Sequence, residues 1–138
     1  MLRYPDPADR EVAGLVCAVL ALGGVRVILR SAEKALAALG ERPARKLGRS
    51  TDSALRERLE GFRHRFFDGR DLAALLGAVR DARAEAGGLE PIFLAGDDPS
   101  EPDYAVAASA LARDLAAHAP RRPDGKPCWP SNLLPDPV

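Results

Sequence analysis

The sequence predicts an all-α protein: about five to six helices that form an incomplete orthogonal bundle, followed by a proline-rich segment. Apolar residues recur at helical spacing in several stretches, and glycines or capping residues separate these stretches. No stretch shows sustained alternation with β-branched residues, so we expect no sheet. Six prolines between residues 120 and 138 exclude a helix or a central strand there. We therefore divide the chain into a helical domain, residues 1–119, and a proline-rich extended segment, residues 120–138.

Two helices are predicted before the first long basic stretch. The first extends from about Asp9 to Leu22 and ends at Gly23-Gly24, and its apolar spacing is set by Val12, Leu15, Val16, Val19 and Leu20. The second stops at Gly40, and its apolar residues are Val25, Ile28, Leu29, Ala32, Leu36 and Leu39. The other face of the first helix is also small or apolar, which is typical of a helix in the middle of a core.

Three further helical segments follow a basic, polar stretch from Arg42 to Arg49. Thr51 is a candidate cap for the third helix, which carries Leu55, Leu59 and Phe62 on one face. A fourth helix begins after Asp68-Gly69 and runs to Gly87-Gly88, and a short turn follows at Leu89, Ile92 and Phe93. Ser100 and Asp103 resemble a capping box for the last helix, whose buried stripe is predicted to be Tyr104, Ala108, Leu111 and Leu115.

Composition excludes several classes of protein. Hydrophobic residues make up 46% of the 138 residues and charged residues 29%, which argues against disorder. The net charge is zero, so no global field attracts the chain to nucleic acid or to a membrane surface. The chain has no recognisable secretory segment and no apolar run of membrane-spanning length. We therefore expect a cytoplasmic protein without a membrane partner.

Charge is nevertheless unevenly distributed along the chain. Residues 42–83 contain eleven basic and six acidic residues, whereas residues 84–119 contain one basic and seven acidic residues. The densest basic cluster is Arg63-His64-Arg65. A nucleic-acid-binding surface that contacts phosphates is one interpretation, and the candidate residues are then Arg45, Lys46, Arg49, Arg63, His64 and Arg65.

The other interpretation of this cluster is a structural junction between two helices. In it Phe62, Phe66 and Phe67 pack inward, while the charges face water or pair with Asp68 and Asp71. We favour this interpretation because exposed arginines are common and because a nucleic-acid site needs aromatic rings that are free to stack.

No catalytic residue, cofactor or metal site is predicted. Zinc ligands usually occur as pairs of residues a few positions apart in the sequence. The two cysteines and two histidines of this chain show no such spacing: Cys17, His64, His118 and Cys128. His64 has no nucleophile or second base near it in any recognisable motif, and His118 is expected to interact with the dipole of the last helix.

Several segments, taken together, resemble a bacterial family that carries only a domain-of-unknown-function label. The segments are RYPDPADREVAGLVCAVLALG from Arg3, VRVILRSAEKALAALG from Val25, GFRHRFFDGRDLAALLGAV from Gly61, AGGLEPIF from Ala86 and LLPDPV from Leu133. Full-length members of that family resemble the helix-hairpin-helix DNA glycosylases, a superfamily that includes endonuclease III.

The resemblance implies that this chain is the N-terminal half of a larger domain. The glycosylases carry their chemistry on a central hairpin and a later aspartate segment, and neither is found in this sequence. We therefore expect a scaffold that contributes to DNA binding in the full-length protein and has no base-excision activity alone. The alternatives are a non-enzymatic helical protein-interaction module and an inactive, truncated gene product. In the glycosylases the turn that corresponds to Leu22-Gly23-Gly24 approaches DNA, but here it offers no aromatic ring or polar side chain.

Overall fold

The computed structural model describes residues 3–129, and it confirms the all-α class. Within those residues seven helices and one two-stranded hairpin follow one another along the chain. Their bounds are α1 Pro7–Val19, α2 Val25–Leu39, α3 Pro43–Arg49, α4 Asp52–Arg58, β1 Arg63–His64, β2 Phe67–Asp68, α5 Gly69–Ala86, α6 Glu90–Ala95 and α7 Ala105–His118.

The core is built around helices α1 and α5. Helix α1 packs on α2 and α3, while α5 packs on α3, α4 and α7. Helix α5 is buried along most of its length, since it lies in the middle of the fold; its buried residues include Leu72, Leu75, Leu76, Ala78 and Val79. The sequence placed α1 in the middle of the core, and its Val12, Val16 and Leu20 are indeed fully buried, although Ala18 and Ala21 are exposed.

Several predicted helix ends are confirmed because local hydrogen bonding determines them. The Thr51 hydroxyl accepts a hydrogen bond from the Ala54 amide at 3.1 Å and begins α4. Gly87 ends α5 in the left-handed conformation that glycine adopts without strain. Asp68 and Asp71 form a capping box at the start of α5, and burial raises the pKa of Asp71.

Three sequence-based expectations about the elements are wrong. The basic stretch after Arg42 contains a further helix, α3, which begins at Pro43 and buries Leu47. Helix α7 begins at Ala105, and Asp103 accepts a hydrogen bond from the Ala105 amide at 2.9 Å, but Ser100 is not part of the cap, because its hydroxyl bonds to Asp98 in the preceding loop. Tyr104 is 67% exposed and does not belong to a buried stripe, because its ring packs only against Phe93 at the surface.

The segment RYPDPADREVAGLVCAVLALG, which begins at Arg3, contains acidic residues that hold the ends of several helices. Asp6 accepts a hydrogen bond from the Ala8 amide at the start of α1. The buried Asp9 accepts one from the Ala44 amide at 2.9 Å and thereby caps α3 from another helix. Glu11 accepts hydrogen bonds from the backbone amides of Leu89 and Glu90 at the start of α6. Each carboxylate of this motif is therefore engaged by a helix N-terminus.

The first part of the proline-rich segment folds back onto the helices. Residues 121 and 127 pair across a turn, and the Cys128 amide donates to the Pro120 carbonyl at 2.9 Å. Trp129 is only 4% exposed and joins the hydrophobic core. The motif LLPDPV lies outside the described residues. No helix within residues 3–129 is both long enough and apolar enough to cross a membrane.

Candidate nucleic-acid interface

A short hairpin connects α4 to α5 and presents a two-residue tip to solvent. Arg63 pairs with Asp68 and His64 with Phe67, so Arg65 and Phe66 form the turn. Sequence reasoning expected no strand here, because two residues are too few to show a period. Buried Phe62 and Phe67 hold the base of the hairpin against the core. This pairing leaves Arg63 and the tip exposed.

His64 anchors the hairpin and does not reach the surface. It is 2% exposed, and its Nδ1 atom lies 2.7 Å from the Ser31 hydroxyl of α2. Its Nε2 atom is buried without a hydrogen-bond partner among the described residues. A side chain in this position cannot contact a phosphate, so His64 is a positioning residue of the hairpin, in contrast to its neighbours Arg63 and Arg65.

Arg65 joins the hairpin tip to the connection between α1 and α2. Among the described residues it is the one non-glycine residue with a positive φ, at 55°. This conformation costs an L-residue about 1–2 kcal/mol. A Cβ atom placed on Gly23 would lie 2.7 Å from Nη1 of Arg65, so glycine allows the guanidinium to approach. Strained backbone at an exposed tip is a feature of functional loops.

Phe66 points outward and is 72% exposed, which corrects the prediction that all three phenylalanines of this region pack inward. Of these two adjacent residues, Phe66 lies in the turn and Phe67 lies in strand β2, so Phe67 is buried and Phe66 is not. The exposed ring removes one of the two arguments against nucleic-acid binding, whereas the other, that exposed arginines are common, still holds.

Exposed apolar and basic side chains occur at the tip and on the first turns of α2, although Arg63 also lines a groove that contains Glu57, Glu60 and Asp68. The first turns of α2 are exposed, which differs from the predicted burial of Val25 and Leu29. No acidic residue occurs between Glu11 and Glu33 to offset the arginines of α2. We name this surface the hairpin patch, and its residues are Leu22, Val25, Arg26, Leu29, Arg30, Arg63, Arg65 and Phe66.

The other residues that the sequence predicted as nucleic-acid contacts lie away from the hairpin, on α3. Arg45, Lys46 and Arg49 of α3 line a groove of about 400 Å³ together with Arg42 and Arg58. Helix α2 passes from the hairpin anchor at residue 31 to this groove at residue 39. At 1.5 Å per residue the hairpin anchor and the groove are about 12 Å apart along the helix axis, and the patch residues Arg30 and Arg26 are about 14 and 20 Å from the groove. The structure thus separates the predicted set into a hairpin patch and an α3 groove.

Sequence reasoning missed Phe66, Arg26 and Arg30 as parts of the interface. Helical periodicity assigned the first turns of α2 to a buried face, because it cannot show where a helix projects beyond its neighbours. The sequence did contain a signal that one of these rings is exposed. In extended chain, consecutive side chains point to opposite sides, so Phe66 and Phe67 cannot both face the core.

Comparisons with known proteins leave the chemistry of this surface open. A family model described as "Protein of unknown function (DUF2400)" matches residues 1–131. This match confirms the expectation of a family of unknown function. No curated protein and no solved structure matches the chain. The candidate interface therefore rests on the geometry of the chain itself.

Proposed function

The chain belongs to the DUF2400 family of proteins of unknown function, and from this premise we propose that its hairpin patch binds nucleic acid. The observation that carries the proposal is the exposed ring of Phe66, held at a strained turn and flanked by Arg63 and Arg65. In this proposal the arginines contact phosphates and the ring stacks on an unpaired base. The substrate class is therefore nucleic acid with at least one unpaired base.

Phosphate contacts make a quantitative prediction for this surface. Four arginines contribute to the hairpin patch: Arg26, Arg30, Arg63 and Arg65. Four phosphate contacts on a single strand give a slope of log affinity against log salt of about −3. The α3 groove supplies further cations about 14–20 Å along α2 from Arg30 and Arg26, so a strand of several nucleotides is needed to contact both places. Both places predicted from the sequence then serve one ligand.

The resemblance to helix-hairpin-helix glycosylases supports a scaffold role and not a catalytic one. Asp6, Asp9 and Glu11 are the carboxylates of the first family motif, and each accepts hydrogen bonds from a helix N-terminus. Carboxylates engaged in this way do not act as a general base. We therefore propose that this chain binds DNA without excising a base. Release of a free base from a damaged duplex by residues 1–138 alone would contradict this proposal.

The decisive experiment measures binding of a fluorescent oligonucleotide by anisotropy at several salt concentrations. The probes are a single strand, a duplex with one mismatch and a fully paired duplex. Phe66→Ala is expected to weaken binding to the first two probes by about 5- to 150-fold, the loss of one stacked base. The salt slope should not change, because phenylalanine carries no charge.

Charge variants test the phosphate contacts separately. The double variant Arg63→Gln/Arg65→Gln should reduce the magnitude of the single-strand salt slope by about 1.4. The matched control is Arg10→Gln/Lys126→Gln, which removes the same charge from exposed positions on α1 and the C-terminal loop. Equal effects of both double variants, or no measurable binding at low salt, would refute the proposal and favour a protein-interaction module.

A further inference from the structure

A second cavity lies on a different part of the fold, between α4, α5 and the end of α7. It has a volume of about 330 Å³. Its floor is formed by small residues of one α5 face, Ala73, Ala74 and Gly77, and its roof by Pro120 and Cys128. The floor is narrow, because a Cβ atom on Gly77 would lie 3.0 Å from an Asp52 carboxylate oxygen.

The two carboxylates that line this cavity, Asp52 and Asp81, are both paired with one arginine. Arg80 makes salt bridges of 2.9 Å to both Asp52 and Asp81, and it also donates to the Ser50 carbonyl. The hydrogen bond to Asp81, followed by that to Asp52, raises the pKa of Arg80. One guanidinium therefore holds both acidic side chains of the cavity in fixed positions.

His118, at the other end of the cavity, is also fully engaged. Its Nδ1 atom lies 2.8 Å from the Asp114 carbonyl oxygen, and its Nε2 atom lies 2.6 Å from a Glu85 carboxylate oxygen. These contacts, with the carbonyl first, raise the pKa of His118 and favour its charged form. Neither ring nitrogen is available to bind a ligand or to activate Cys128.

Two cationic side chains of the cavity remain without an anionic partner. Arg56 of α4 and Arg70 of α5 both line it, and within residues 3–129 neither forms a salt bridge. Arg56 donates one long hydrogen bond, 3.4 Å, to the Ser53 hydroxyl. Both arginines are exposed, and both also line an adjoining groove that contains Glu57, Glu60 and Asp68. The cavity thus combines two guanidinium groups that form no salt bridge with a floor of small residues.

The roof of the cavity is anchored, so the cavity exists before any ligand binds. The Cys128 amide bonds to the Pro120 carbonyl, and the next residue, Trp129, is buried in the core. A preformed site does not lose affinity to the ordering of its own loop.

We propose that this cavity binds a compact oxyanion, a phosphate or carboxylate group of a small molecule, between Arg56 and Arg70. Guanidinium groups present planar pairs of N–H donors that match both kinds of anion. Arg80 offsets one of the two negative charges of Asp52 and Asp81, and Arg56 and Arg70 then leave these five groups with a net charge of +1 (three arginines against two aspartates), which favours an anion. The volume suits a small ligand. The proposal is independent of nucleic-acid binding at the hairpin patch.

Cys128 provides a reporter for occupancy, because its thiol lines the cavity and is partly exposed. Cys17, also partly exposed but located on α1, is an internal reference in the same molecule. The experiment measures alkylation rates of both thiols by mass spectrometry while inorganic phosphate or acetate is titrated at constant ionic strength. We expect saturable protection of Cys128 and an unchanged rate at Cys17. The comparison of phosphate with acetate identifies which oxyanion the cavity prefers.

Variants of Arg56 and Arg70 test whether the protection of Cys128 depends on these two side chains. Arg56→Gln and Arg70→Gln should each raise the half-protecting concentration about tenfold or more, as expected for loss of a charged hydrogen bond. Arg10→Gln is the matched control and should leave it unchanged, and circular dichroism verifies that each variant is folded. Unsaturable protection, equal slowing of Cys17, or undiminished protection in the folded Arg70→Gln variant would overturn the proposal.

Discussion

Replacement of Glu11 by alanine should destabilise the protein far more than a surface position would. The carboxylate accepts hydrogen bonds from Arg83 Nε and from the amides of Leu89 and Glu90. It therefore holds α6 and α5 against α1. A hydrogen bond to a charged group contributes about 1.5–3 kcal/mol. The side chains of Glu11 and Arg83 are only 22% and 17% exposed, so water replaces these bonds poorly.

If the hydrogen bonds from Arg83 and Leu89 each contribute about 1.5 kcal/mol, Glu11→Ala lowers the free energy of unfolding by about 3 kcal/mol. For a domain of this size, that loss lowers the melting temperature by roughly 6–12 °C. Glu11→Gln keeps one acceptor oxygen and should lose about half as much. The assay is urea unfolding followed by circular dichroism, with Tm as a second measurement.

Glu33→Ala is the matched control for this experiment. Glu33 also pairs with an arginine, Arg3, but at 3.9 Å and with its own side chain 72% exposed. Its removal should cost less than about 0.5 kcal/mol. If Glu11→Ala and Glu33→Ala destabilise the protein equally, the assignment of Glu11 as the cap of α6 is wrong.

Two further changes probe the packing that supports the candidate sites. Gly69→Ala should destabilise the protein severely, since its Cβ would lie 2.0 Å from the Leu59 carbonyl oxygen, whereas Gly48→Ala has open space and should not; thermal melts compare them. The pKa of His118 is raised from 6.5, so its contribution to stability is complete below 6.5 and disappears as pH rises through the folded pKa. His118→Gln should therefore lower the free energy of unfolding at slightly acidic pH and leave it nearly unchanged at alkaline pH; a pH-independent difference would contradict this.

Local chemistry made the helix ends predictable from the sequence. Thr51 and Gly87 lie where the sequence placed them, because a hydroxyl that accepts a backbone N–H and a residue that tolerates positive φ act within one turn. The same rule failed at Ser100, where a nearby carboxylate, Asp98, accepts the hydroxyl hydrogen bond instead. Local signals thus fix an end only where no closer partner competes.

The candidate interface depended on information that the sequence does not contain. Arg63 and Arg65 were correctly expected to be exposed, but the exposure of Phe66 and the burial of His64 follow from the turn between them. The contact between Arg65 and Gly23 joins residues 42 positions apart in the chain (65 − 23). No periodicity relates such positions, because only packing brings them together.

The sequence by itself determined that this chain is helical, where α2 and α5 end and where α4 begins, and that its charge is divided between two regions. Tertiary structure alone decided which apolar faces are covered. Val25 and Leu29 fit a buried stripe by spacing but remain exposed, because α1 and α3 cover α2 only from residue 31 onward. It also decided which charges are paired, since Arg80 bonds to both Asp52 and Asp81 while Arg56 and Arg70 form no salt bridge among the described residues. Periodicity describes one element, whereas burial and ion pairing are properties of the surfaces that two or more elements share.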